Sequence, residues 1–428
     1  DKEIFNQQLA ALKTSLKDSV ELLNFHRMVQ PFTALSKLAH CSSEFPFQSH
    51  YIPYMEQGGK LFPCSVRIEE GKLIITDNYS TKTEIGKGDE LSSINAKSAD
   101  VVREDIYAYL SGEGAEIKNA LIDQLEFARI YWLVYDEVAS FDLVLKRPAD
   151  GKSYEVSVLA REAAQLEENF AEKVPLFDTE RAFKFIEDIA YLKPGIFLNQ
   201  ESTQNTSSHE TFDRRGFIDF IDSSFAQIKS RKLESLIIDL RGNPGGDNSF
   251  SDYMLAYFAD TAFRFCSDFY VKTSPTTKKF WEGVEMESLQ EMRKLILEKE
   301  NGERFPVPYD TYEPRPLAER FRGKVYLLIN RYSYSNAVST AAIVKDYGLG
   351  TILGEMTADT PTSYGAVHQF SLPHSKINIS YPKAFIVRPN GNRQLLGVKP
   401  DIFLTATPGN KEDEVLAASL EFIKNQQP

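Results

Sequence analysis

Apolar positions recur at helical spacing over residues 3–40, as in IFNQQLAALKTSLKDSVELLNFH, and predict a small helical region that breaks at CSSEFPFQSHYIPYMEQGG, a loop. From about residue 60 the texture changes to short β-prone runs, LFPCSVRIEE, KLIITDNYS and FDLVLKRP, with YEVSVLAR closing near residue 161. Between them IGKGDELSSINAKSADVVREDIYAYL reads as a strand and turn leading into a helix, and IKNALIDQLEFARIYWLVY as one amphipathic helix. The stretch LEENFAEKVPLFDTERAFKFIEDIAYLKPGIFLNQ returns to mixed helix and strand. After it, DRRGFIDFIDSSFAQIKSRKLESLIIDLRGNPGGDNSFSDYMLAYFAD predicts helix, buried strand, Gly-rich turn and helix. SLIIDL is continuously apolar, as central parallel strands are. A charged helix, MESLQEMRKLILEKE, and a Pro-rich loop, RFPVPYDTYEPRPLAERF, predict a surface excursion, and GKVYLLINRYSYSNAVSTAAIVKDYGLGTILGE then repeats the order strand, turn, helix, strand. Two such βα units imply an α/β core.

Length and charge narrow the functions open to such a chain. Its 428 residues, 42% hydrophobic, can bury a full core and predict two or three domains. Lys plus Arg total 49 against 61 Asp plus Glu, a balance of 49 − 61 = −12, and no long basic run interrupts it, so nucleic acid is not an expected partner. No apolar stretch approaches the roughly 18 residues of a membrane helix. The polar opening DKEIFNQQ is not a signal peptide, which leaves a cytoplasmic protein or one whose targeting segment has been removed. Cys41, Cys64 and Cys266 lack metal-site spacing, and His26, His40, His50, His209, His368 and His374 include no H-E-x-x-H. No metal or other cofactor is expected; Cys41 and Cys64 remain able to pair.

The chemistry concentrates in two turns. In an open α/β sheet, ligands lie beyond the carboxyl ends of the strands, where RGNPGG and NRYSYSNA both fall. Gly245 and Gly246 have no Cβ, so a substrate carbonyl can approach their amides closely. Ser333, Ser335 and Ser339 stand at the start of a helix. A serine there is either a cap, stabilising the helix by about 1 kcal/mol, or a nucleophile whose oxyanion the free amides and the helix dipole would stabilise.

Taken in order, these stretches resemble the C-terminal-processing (tail-specific) serine proteases and their tricorn-core relatives. LIIDLRGNPGGDNSFSDYMLAYF is similar to that family's strand and glycine turn, and VYLLINRYSYSNAVSTAAIVKDYGLGTILGE to its nucleophile motif. FSLP at 370–373 and GVKPDI at 397–402 resemble its closing signatures. GKGDELSSINAKSADV resembles a PDZ core through Gly88, Asp89, Ile94 and Asn95, with Ala96 where glycine is usual. The resemblance implies an α/β protease core of βα units, ClpP/crotonase-like, with an N-terminal helical region (1–59), an embedded PDZ-like β-rich domain (60–162) and the core over 163–428. It puts the nucleophile at Ser335, with oxyanion donors on Asn336 and on Gly245 or Gly246.

A serine hydroxyl needs a base. One branch of the family uses a lysine, and the matching stretch here, GEMTADTPTSYG, has Thr360 in its place. The tricorn-like branch uses a histidine from an N-terminal segment, and SKLAHCSSEF puts His40 there; an imidazole with an ordinary pKa near 6.5 supplies a neutral base at pH 7. His26 and His50 stand in reserve. The resemblance implies Gln394 as the group that orients the imidazole, in RQLLGVKPD where the tricorn-like branch has a glutamate, with Glu355 as the other candidate; Asp359 is a further nearby acid, turn and strand-end roles are open to both acids, and Asp401 reads as structural. The expected function is a serine endopeptidase acting on peptides or unfolded proteins through an acyl-enzyme. The alternative is a catalytically silent binder of peptides or apolar ligands on the same fold, which the missing lysine and Gln394 favour. The family implies an extracytoplasmic setting, periplasm or cell envelope.

Overall fold

The computed structural model describes the chain except residues 1, 172, 174, 202–210, 286, 408–411 and 427–428, so His209 lies outside the described residues. It divides into two compact units, one of 1–174 with 369–381 and 407–411, the other of 175–368 with 382–406 and 412–428. The expected boundaries at 59 and 162 both fall inside the first unit, and the helix Ala163–Ala171 is part of it.

The first unit begins with the helices Lys2–Ser15 and Leu22–Ala34. Its antiparallel sheet runs in the order Cys64–Glu69, Lys72–Asn78, Glu90–Ile94, Ser140–Lys146, Ser153–Leu159. Alternation puts Phe141, Leu143 and Leu145 on one face of the fourth strand, where they join Phe62, Tyr131 and Trp132 in the core. Asn95 and Ala96 take φ of +50° and +65° between the paired residues Ile94 and Lys97, the backbone of a two-residue hairpin. The helix expected through 117–135 is two helices, Ala115–Leu125 and Phe127–Tyr135, broken at Glu126, which takes φ +63° and whose carboxylate accepts from Lys173 Nζ and Ser65 Oγ. Ser42 and Ser43 pair with Ser380 and Ile379, which brings 369–381 into this unit. All three cysteines are free thiols, so the pairing left open for Cys41 and Cys64 is not made; burial pushes the Cys64 thiol up to about 12.

The second unit is built on a sheet ordered Ala182–Ile186, Ile189–Lys193, Ser235–Asp239, Lys324–Ile329, Thr351–Gly354, Ile402–Phe403, antiparallel at its first pair and parallel after it. The continuously apolar strands are explained by cover on both faces. Leu236, Ile238, Leu327 and Ile329 pack with the helices Arg215–Ser230, Asn248–Leu255 and Asn336–Tyr347. Ile237, Tyr326 and Leu328 pack on the opposite side with Ile423 of the C-terminal helix Glu414–Lys424. The excursion expected over 286–321 is more than a surface feature: its Ile296 and Phe305 close a small core with Trp281, Val271 and Ala384.

Candidate active site

The strands Ser235–Asp239 and Lys324–Ile329 are parallel neighbours, so the turns at their carboxyl ends emerge side by side. Hydrogen bonds stitch the two turns together. Ser333 Oγ donates to Leu240 O (2.7 Å), the Tyr334 N–H to Asn243 O (2.9 Å), and the Gly242 N–H to Asn330 Oδ1 (3.0 Å). Ser333 is fully buried and committed to this role, which removes it as a nucleophile.

Ser335 occupies the N-cap position of the helix Asn336–Tyr347 without capping it. Its φ is +51° and ψ −120°, a region a residue with a Cβ enters at a cost of about 1–3 kcal/mol. Among the described residues its Oγ has no hydrogen-bond partner. The cap reading therefore fails for Ser335: the hydroxyl is uncommitted, on a strained turn, at the positive end of a buried helix.

Gly245 lies against this turn. A Cβ built on it would stand 2.6 Å from Tyr334 O, 2.7 Å from Asn336 N and 2.9 Å from Ser335 Cβ, and its φ is +89°. Only glycine fits on both counts. Its own N–H is already given to Asn243 Oδ1 at 2.8 Å. Gly246, at φ +129°, is pressed against Phe197, whose N–H bonds Gly245 O and whose carbonyl accepts the Asp247 N–H. Among the described residues the N–H groups of Gly246 and Asn336 have no acceptor, so of the two glycines Gly246 is the one with an amide to offer. The helix Asn248–Leu255 follows, capped by Asp247, whose Oδ1 accepts the Ser249 N–H at 2.9 Å. On that helix Asp252 is 5% exposed; one oxygen accepts from Asn248 Nδ2 at 2.7 Å and the other has no partner among the described residues. Burial pushes its carboxyl up to about 7.

The remaining candidates fall as follows. Glu355 is held by Arg331 (3.2 Å) and Thr405 (2.6 Å). Gln394 is exposed, and its side chain makes no hydrogen bond among the described residues. Asp359 is buried and accepts the Ser335 N–H. Thr360, in place of a lysine, gives its hydroxyl to Thr362 O (2.8 Å), and Asp401 accepts the Ile352 N–H (2.8 Å) and pairs with Lys345, the structural role expected of it.

His40 belongs to the first unit, half-buried in a turn between the helix Leu22–Ala34 and the strand Ser42–Ser43. The flanking backbone is anchored by Ser111, which bonds both the N–H and the carbonyl of Leu38, and by Glu113, which accepts the Ala39 N–H. The reserve histidines have other occupations. His26 is in the core, its pKa lowered to about 4 by burial, and His50 pairs with Glu21 at 3.0 Å. His368 is a buried strand residue 2.9 Å from Lys383 Nζ, and His374 sits in the exposed turn of the hairpin. Among the described residues no cluster of His, Cys, Asp and Glu could hold a metal ion, and no helix is long and apolar enough to cross a membrane.

Residues 210–404 match the family described as Peptidase family S41. Among solved structures, mature CPAF is similar at 16% identity and TM-score 0.60, with 98% of this chain and 90% of that chain covered. CPAF complexed with lactacystin gives 17%, 0.61, 98% and 91%. The photosystem II D1 C-terminal processing protease gives 13%, 0.41, 94% and 88%. At these identities the likeness to CPAF is one of fold. No curated protein matches the chain.

Proposed function

We propose that the chain, whose residues 210–404 match Peptidase family S41, cleaves peptides or unfolded proteins as a serine endopeptidase with Ser335 as nucleophile. The observation that carries this reading is Ser335 itself: φ +51° on a residue that is not glycine, at a helix N-terminus, with an uncommitted hydroxyl. Strain of this kind persists only where surrounding structure imposes it, and it concentrates at functional sites. Ser335 Oγ attacks the scissile carbonyl and yields its proton to an imidazole. The developing oxyanion is received by the N–H groups of Asn336 and Gly246, the imidazolium protonates the leaving amine, and water then releases the acyl group by the reverse sequence.

His40 is the proposed base. Its support is the HCS stretch and the commitments of its rivals: His26 stays neutral in the core, His50 is bound to Glu21, and His368 to Lys383. For its orientation Gln394 has an uncommitted amide, whereas Glu355 is engaged by Arg331 and Thr405. The β-rich sheet is proposed as a PDZ-like module that accepts a peptide strand on its edge, Ser153–Leu159, which pairs only with Ser140–Lys146 among the described residues. An extracytoplasmic setting is part of the same proposal. The test is turnover of an unfolded protein such as reduced casein: Ser335→Ala is expected to lose all specific cleavage at unchanged thermal stability. Specific cleavage surviving in that variant overturns the reading.

A further inference from the structure

We infer that Asp359 is a positioning residue that holds the nucleophile's backbone in its reactive geometry; this rests on the reading of Ser335 as nucleophile. A serine at φ +51° and ψ −120° relaxes unless something holds it. The holding group is visible. Asp359 Oδ2 accepts the Ser335 N–H at 2.6 Å, a short hydrogen bond to a carboxylate. Asp359 Oδ1 accepts the Thr360 N–H at 2.8 Å. The residue is 2% exposed, and no Lys, Arg or His pairs with it among the described residues. A buried carboxylate is costly unless hydrogen bonds compensate it, and here backbone amides do so, one of them the nucleophile's own.

The consequence reaches the oxyanion site. With the Ser335 N–H claimed by Asp359, the next amide, that of Asn336, is the uncommitted donor at the helix end. The anchor is itself fixed from behind. Thr357 Oγ1 donates to Asp359 O (2.8 Å) and accepts the Val398 N–H (2.8 Å), while the Thr357 N–H bonds Val398 O (3.2 Å). Gly397 lies so close that a Cβ would stand 1.9 Å from Thr357 O. Residues 357–360 are thus locked to the GVKPD segment, and the carboxylate is presented to Ser335 from a rigid base.

The test is the rate of Ser335 phosphonylation by a fluorophosphonate, resolved into kinact and KI, on the full chain. Wild type, Asp359→Ala and Asp359→Asn are compared, with peptide mapping of the label. Asp359→Ala is expected to lower kinact by about 100-fold with KI within about threefold, because the donor geometry and not probe binding is lost. Asp359→Asn keeps an acceptor for the Ser335 N–H and is expected to lose only about tenfold. The pH dependence of kinact keeps its midpoint in both variants, since Asp359 does not take the proton. If Asp359→Ala fails to fold, the isosteric Asp359→Asn carries the test. A folded variant with kinact within about threefold of wild type, or a shifted midpoint, overturns the inference alone. Wild type unlabelled at Ser335 overturns the nucleophile reading on which it stands.

Discussion

Replacing Gly245 by alanine tests whether the glycine turn shapes the serine turn. Alanine at φ +89° costs roughly 1–2 kcal/mol in backbone strain. Its Cβ would also meet Tyr334 O at 2.6 Å, Asn336 N at 2.7 Å and Ser335 Cβ at 2.9 Å. The first two are backbone atoms and the third a Cβ, so none is a flexible tip that can swing away. Crowding of this kind adds about 1–3 kcal/mol, for a total of about 2–5 kcal/mol. A chain of typical stability survives that loss, but the relief has to come from the turn bearing Ser335 and Asn336. Displacing one oxyanion donor lowers turnover by about 100- to 1,000-fold. Gly302 provides the control: its φ is +88°, yet nothing lies within 4 Å of the built Cβ. Gly302→Ala therefore carries the strain without the collision. Urea unfolding and casein turnover of both variants separate the two effects. The reasoning is refuted if Gly245→Ala equals Gly302→Ala in stability and turns over within about threefold of it.

Two buried ionisable groups give pH dependences of opposite sign. Asp252 holds its proton to about pH 7 when folded, against 3.8 unfolded, so folded stability falls as pH rises between those values. Asp252→Asn is expected to be the more stable protein at pH 8, by at most about 4 kcal/mol, and to match wild type near pH 4, as read by urea unfolding at both pH values. His26, lowered from 6.5 to about 4, contributes stability that is complete above pH 6.5 and lost as pH falls toward 4; His26→Leu is expected to flatten that limb, worth about 3 kcal/mol in wild type, in a series of thermal melts. Arg241 pairs with Asp239, which is 2% exposed, and with Asp413 at the cap of the C-terminal helix. Arg241→Ala leaves the buried Asp239 carboxylate without its charge partner, holding only the Tyr191 hydroxyl and the residue 241 N–H, and is expected to cost about 3 kcal/mol, whereas Asp413→Ala costs about 1 kcal/mol; equal losses in denaturant titration would contradict that account.

The parts of the molecule legible in the sequence are those fixed by local pattern. SLIID and VYLLI announced strands covered on both faces, and the Pro-Gly-Gly and Tyr-Ser-Asn turns announced where their carboxyl ends lie. Resemblance singled out Ser335 among neighbouring serines, and the backbone there takes a positive φ that no pattern of residue types records. What stayed illegible depends on long-range partners. At the Glu126 break the side chain meets Lys173 and Ser65, both distant in sequence, and the docking of 369–381 comes from pairing with Ser42 and Ser43. Asp359 looked like any turn acid because its partner is an amide 24 positions away. Nor does the sequence show that the Asn243 side chain consumes the amide of Gly245 and not that of Gly246.

The central claim is that Ser335 is a nucleophile activated by His40, and its most direct measurement is fluorophosphonate labelling with peptide mass mapping across about pH 6 to 9. Wild type, Ser335→Ala and His40→Ala are compared at matched stability. The account predicts label on the peptide bearing Ser335, none in Ser335→Ala, and label abolished in His40→Ala. A folded wild type that takes no label anywhere in that range, or label that persists in Ser335→Ala, contradicts it; undiminished label in His40→Ala removes His40 as the base.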